Sequence, residues 1–203
     1  MTAAPPTANA AERTFWDWFT RQEARLFAFE FPDEPLLDEL AKALSRVAPE
    51  LTFELGPITD GKREFVISAG GILEAFPAVE SLHRCAPDLP RWHWTAFRQR
   101  MQTLYDLGMG EHRVSADDVH YLLAADEPKV GIVLFFDDYH EERHSEFQQL
   151  AYLFLDQALG EYAVETQVGF IEVLPRTSEY FQRAYPLREL PGHFDHYWGN
   201  TAT

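Results

Sequence analysis

The sequence contains few of the features that cross-link or anchor a protein. Cys85 is its only cysteine, so no disulfide can form within the chain, which indicates a reducing compartment. No apolar run approaches the roughly 20 residues that a membrane-spanning helix needs. The opening residues, MTAAPPTANA, contain neither a basic stretch nor an apolar one and are not typical of a signal peptide. We therefore expect a flexible tail over residues 1–11, a cytoplasmic location and no membrane partner.

Basic residues are also scarce. The chain has 17 lysines and arginines against 33 acidic residues, which gives a formal net charge of −16. Phosphate backbones bind through cationic side chains, so this balance argues against a nucleic-acid partner. A protein with a basic surface, a divalent ion or simple solubility each fit the charge better. We predict a partner with a basic surface, while the oligomeric state stays open.

Most catalytic motifs are missing. The sequence has no G-x-S-x-G, no C-x-x-C and no pattern of a cysteine nucleophile with a histidine. One motif is present, since residues 140–144 spell HEERH. In a helix, His140 and His144 would project from one face and could bind Zn²⁺, while Glu141 would activate a water molecule. This motif gives the alternative hypothesis of a metal-dependent hydrolase.

Three observations weaken the zinc hypothesis. The motif follows directly after a predicted strand, where a loop or a first helical turn is expected. Its flanks, DDY and SEFQQ, lack the apolar residues that bury such a helix. A third ligand has no clear sequence signal, although Asp156 and Glu161 are available. We therefore favour a polar connection between a strand and a helix, with no metal, cofactor or catalytic residue assigned.

Several other polar clusters allow two interpretations. Asp137 and Asp138 could hold Mg²⁺ or act as a base at the end of a strand, but we favour one of them as the N-cap of the next helix. The double glycine after Ser68 lacks the spacing of a nucleotide-binding loop, so we expect a tight turn. The tryptophans 92, 94 and 198 could form a binding rim, but we expect them in the core. The HFDH stretch at 193–196 could bind a metal ion, but two histidines near a chain terminus are more often incidental.

One order of elements occurs twice, namely strand, strand, helix, strand. The first copy covers residues 51–98, with LTFEL and EFVISA around an Asp60-Gly61 turn. The second covers 119–174, where the near-continuous apolar run VGIVLFF predicts a strand covered on both faces. Two amphipathic helices precede them, and we expect both to pack on the sheet. We predict a single α+β domain over 12–203, with a mainly antiparallel sheet, two related halves and one shared core.

The segment REFVISAGG, continued by FPAVESL, an Ala-Pro break, a tryptophan-bearing strand and AFRQR, resembles a family of uncharacterised bacterial proteins. The similarity covers mainly residues 50–100. It implies a compact cytoplasmic α+β domain and carries over no catalytic residue. Together with the charge, it favours a non-catalytic interaction or regulatory domain.

Overall fold

The computed structural model describes residues 8–30, 34–109 and 112–201. The chain divides into two compact units, Met1–Arg98 and Gln99–Thr203. Each unit combines helices with a sheet, which confirms the α+β class. None of the described helices is both long enough and apolar enough to cross a bilayer.

The first unit consists of two helices followed by a strand–strand–helix–strand arrangement. Its elements are α1 (Ala10–Phe27), α2 (Glu34–Leu44), β1 (Thr52–Thr59), β2 (Lys62–Ser68), α3 (Phe76–Arg84) and β3 (Trp92–Ala96). Strand β2 pairs antiparallel with β1 and parallel with β3. The turn between β1 and β2 has positive φ at Asp60 and Gly61, as the hairpin prediction requires.

Helix α1 begins earlier than the sequence predicted. The Asn9 side chain accepts from the Ala11 and Glu12 amides, and Glu12 accepts from the Asn9 amide in return. This capping box satisfies backbone donors that are otherwise orphaned at a helix start. The predicted tail over 1–11 is therefore too long at its end, because residues 10 and 11 are helical. The sequence also predicts Asp33 as the N-cap of α2, but Asp33 and residues 1–7 lie outside the described residues.

Aromatic side chains dominate the core of the first unit. Phe19 of α1 packs edge to face against both Trp92 and Trp94 of β3, at centroid distances of 4.8 and 5.2 Å. Phe65 of β2 packs against Phe19 at 5.1 Å. Helix α1 therefore packs on the sheet, and α2 contributes Leu36, Leu40 and Leu44 to the same hydrophobic cluster, as predicted.

The second unit repeats the arrangement with additions at both ends. Its strands are β4 (Leu107–Met109), β5 (His112–Val114), β6 (His120–Asp126), β7 (Lys129–Phe136), β8 (Val168–Pro175) and β9 (Tyr185–Pro186). Its helices are α4 (His144–Leu159), α5 (Glu161–Gln167) and α6 (Leu190–Thr201). Strand β7 pairs antiparallel with β6 and parallel with β8, as β2 does with β1 and β3.

Two expectations about the assembly of these halves are corrected. The described strands form three sheets, in the orders β1-β2-β3, β4-β5 and β8-β7-β6-β9, and not one. Each unit also has a hydrophobic cluster of its own, so the two halves do not share one core. The assignment of residues 12–203 to a single domain stays a prediction. The aromatic residues and prolines beyond Pro175 predict only short helical turns, and the structure has two such turns there followed by a longer helix, α6.

Candidate functional site

The HEERH motif does not lie on one α-helix. His140 is exposed and has an extended backbone, with φ −132° and ψ 137°, and the next three residues form a short 3-10 turn. His144 is the first residue of α4. Two histidines four apart share a face only when the whole stretch is α-helical. The backbone therefore does not give this pair the zincin arrangement, and the zinc hypothesis stays an untested prediction.

His144 instead belongs to a hydrogen-bonded group that we call the tyrosine cluster, consisting of Tyr139, Glu141 and His144. The Tyr139 hydroxyl donates to Glu141 Oε2 at 3.0 Å. The Tyr139 hydroxyl oxygen also lies 3.0 Å from His144 Nδ1. This nitrogen donates to the hydroxyl oxygen when the phenol proton faces Glu141. Burial, and then the hydrogen bond and charge of Glu141, raise the pKa of Tyr139. The phenol thus stays protonated and fastens the segment after β7 to the start of α4.

Asp137 forms an ion pair and not a helix cap. It follows β7, and Arg176 follows the neighbouring parallel strand β8, so both come to the same edge of the sheet. Arg176 Nη1 donates to the two Asp137 oxygens at 2.6 and 2.5 Å. Helix α4 has Arg143 at its N-cap position and no side-chain cap. The cap prediction for this aspartate pair is therefore wrong, since a partner 39 residues away in sequence takes the carboxylate.

Aromatic rings complete the surroundings of the guanidinium. Arg176 lies over the Phe181 ring at 4.9 Å, and its Nη2 is 3.4 Å from His120 Nδ1. Phe181 and His120 meet edge to face at 5.2 Å. The carboxylate and the aromatic face both stabilise this cation, although its buried Nε has no hydrogen-bond partner among the described residues. We therefore interpret this group as a closure of the sheet edge and not as a binding site.

Uncompensated negative charge remains beside these two groups. Asp138 and Glu142 are exposed, and within the described part of the chain neither forms an ion pair. Glu172 of β8 is also exposed and lies close enough to act on Tyr139. We call the three residues Asp138, Glu142 and Glu172 the acidic edge. Among the described residues, no group of three or more histidine, cysteine, aspartate or glutamate side chains is arranged to hold a metal ion.

The charge is divided unevenly between the units. Residues 1–98 contain 15 acidic and 10 basic residues, for a net charge of −5, whereas residues 99–203 contain 18 and 7, for −11. The excess of carboxylates therefore belongs mainly to the unit that contains the acidic edge.

The remaining candidates have structural roles. Ser68 Oγ accepts from the Gly70 amide at 3.0 Å, and Gly70 and Gly71 both have positive φ, which is a tight turn of the kind only glycine forms without strain. Trp92 is buried, whereas Trp94 and Trp198 are half-buried and pack against the cores. The tryptophan prediction therefore holds fully for Trp92 alone.

The C-terminal HFDH stretch anchors α6. His193 Nδ1 is hydrogen-bonded to the hydroxyl of the buried Tyr121. Arg100 donates hydrogen bonds to both carboxylate oxygens of Asp195, at 2.8 and 2.9 Å. This hydrogen bonding, together with the charge of Arg100, lowers the pKa of Asp195. Burial, followed by the charges of Glu189 and Tyr185, raises the pKa of Tyr121.

Sequence reasoning missed a groove between α1 and α2. It has a volume of about 350 Å³ and includes Phe15, Trp18, Arg21 and Arg46. The α1 members recur three or four residues apart, which places them on one helix face. That spacing was visible in the sequence, whereas the contribution of Arg46 from beyond the end of α2 was not.

Comparison with protein-family models gives no match, and comparison with curated proteins gives none either. The resemblance of residues 50–100 to a bacterial family stays a prediction.

Proposed function

We propose that this protein is a non-catalytic interaction domain that binds the basic surface of another protein through the acidic edge of its second unit. The observation that carries the proposal is the uncompensated charge of that unit, −11 over residues 99–203. A field of this sign attracts a cationic partner and accelerates its association. Because Cys85 is the only cysteine, no disulfide can form within the chain, and we propose a reducing compartment such as the cytoplasm.

The acidic edge differs from the other carboxylates near it. Asp137 is neutralised by Arg176, and Glu146 by Arg143 at 2.8 Å. Asp138 and Glu142 make no such pair among the described residues, so their charge remains available to a partner. A basic partner would therefore meet these carboxylates without first breaking an existing ion pair.

The backbone that presents these carboxylates is already fixed. The tyrosine cluster ties residues 139, 141 and 144 together, and the Asp137–Arg176 pair anchors the residue before Asp138. A preorganised surface loses less conformational entropy when it binds. This arrangement supports a docking surface more than a mobile acidic loop.

Charge reversal tests the proposal. We would immobilise the wild type and the variant Asp138→Lys/Glu142→Lys, and quantify the proteins captured from native lysate at about 50 and 300 mM salt. We expect the wild type to capture basic proteins, and the variant to capture at least tenfold less of them. High salt should release these proteins from the wild type.

A matched variant controls for total charge. Glu50→Lys/Glu80→Lys changes the net charge equally, at exposed positions of the first unit. We expect it to retain the same proteins as the wild type. Equal losses in both variants would show a non-specific effect of net charge, and an unchanged set of captured proteins in the first variant would rule out the acidic edge.

A further inference from the structure

The groove between α1 and α2 has an apolar floor. Phe15 and Ala43 are buried at its base, Trp18 is half-buried, and Ala11 extends the floor toward the start of α1. These side chains belong to two packed helices of a unit with a continuous aromatic core. The floor is therefore a preformed apolar surface of the size range seen for ligand sites.

Two arginines line the same groove. Arg21 projects from α1 on the same face as Trp18, and Arg46 follows the end of α2. Both are exposed, and within the described residues neither guanidinium group forms a hydrogen bond or an ion pair. Two other arginines of this unit are paired, Arg25 with Glu39 at 3.2 Å and Arg91 with Glu23 at 2.6 Å. In a chain with a net charge of −16, these two guanidinium groups place local positive charge beside an apolar groove.

We propose that this groove binds a small amphipathic carboxylate, with its apolar part on the Phe15–Trp18 floor and its carboxylate between Arg21 and Arg46. The guanidinium fork matches a carboxylate in geometry and charge. An inorganic anion would leave the apolar floor uncovered. The groove volume of about 350 Å³ lies at the lower end of the range of small-molecule sites. A short chain of about eight carbons that ends in a carboxylate suits a site of this size.

Octanoate is the probe, and the indole N–H signals of the five tryptophans in a nitrogen-15 NMR spectrum are the readout. Trp18 lines the groove, whereas Trp16, Trp92 and Trp94 donate their indole protons to Leu82, Glu23 and Pro87. We expect octanoate to shift the Trp18 signal, assigned through Trp18→Phe, with a Kd between about 10 µM and 1 mM. The other signals should stay in place and report that the fold is intact.

Three comparisons decide the outcome. Arg21→Ser/Arg46→Ser should weaken octanoate binding at least tenfold, whereas Lys42→Ser removes an exposed charge of α2 outside the groove and should change the Kd less than twofold. Octan-1-ol should bind at least tenfold more weakly than octanoate, and inorganic phosphate should not shift Trp18. The proposal is overturned by the absence of a Trp18 shift at 2 mM octanoate (about twice the upper expected Kd). It is equally overturned by equal binding of octan-1-ol or phosphate, or by unchanged binding in the double variant.

Discussion

Replacement of Leu155 by alanine should lower the free energy of unfolding of the second unit by about 3–4 kcal/mol. Leu155 lies on α4 with none of its surface exposed, in the hydrophobic cluster of that unit. The change removes three carbons, worth about 0.8 kcal/mol each in transfer free energy. The cavity left behind adds to this loss, because a packed core collapses only partly around it.

Leu153 provides a matched control on the same helix. Its side chain is 43% exposed, so Leu153→Ala removes less buried surface and opens no cavity. The two variants change helix propensity by the same small amount. We expect Leu153→Ala to cost about 1 kcal/mol or less.

The assay must report on the second unit alone, because one melting temperature is ambiguous for a chain with two units. Hydrogen exchange measured on peptides from residues 99–203 in increasing urea supplies such a free energy. A difference between Leu155→Ala and Leu153→Ala below about 1 kcal/mol would refute the packing of α4 described above. A larger loss of stability in Leu153→Ala than in Leu155→Ala would show that α4 packs on the sheet through the opposite face.

Three further predictions concern single side chains. Asp195→Asn should destabilise the protein at neutral pH but not near pH 2. Arg100 lowers the folded-state pKa of Asp195, so the stabilisation is lost as the pH falls through that pKa. Equal urea midpoints of the variant and the wild type at both pH values would contradict this. Tyr121→Phe should cost about 1–3 kcal/mol by leaving His193 Nδ1 without its partner. It should also remove part of the stability loss above about pH 10, since the raised pKa of Tyr121 favours the folded state only while the phenol is protonated; an alkaline unfolding profile identical to the wild type would be the contrary result. Protein purified without added metal should contain no stoichiometric zinc, and His140→Ala should shift stability by less than about 0.5 kcal/mol; elemental analysis near one zinc per chain would revive the hydrolase hypothesis.

Local patterns in the sequence predicted the elements of this fold. The apolar residues of α4, from Phe147 to Ala158, recur at helical spacing, and the structure buries them as one face. The continuous apolar run of β7 is buried along almost its whole length, and Asp60-Gly61 forms the expected turn. The sequence could predict these elements because periodicity and turn chemistry depend on residues only a few positions apart. The capping box of Asn9 and Glu12 was equally local, so the start of α1 could also have been found.

Tertiary structure alone decided which distant side chains meet. Asp137 and Arg176 pair because parallel strands bring their carboxyl ends to one edge, and no local pattern links residues 39 apart. The groove likewise exists because α2 packs beside α1, which brings Arg46 to the face that carries Arg21. The division into two hydrophobic clusters is of the same kind. The sequence determined which surfaces had to be buried, but burial is non-directional, so only the packed chain fixed which surface covers which.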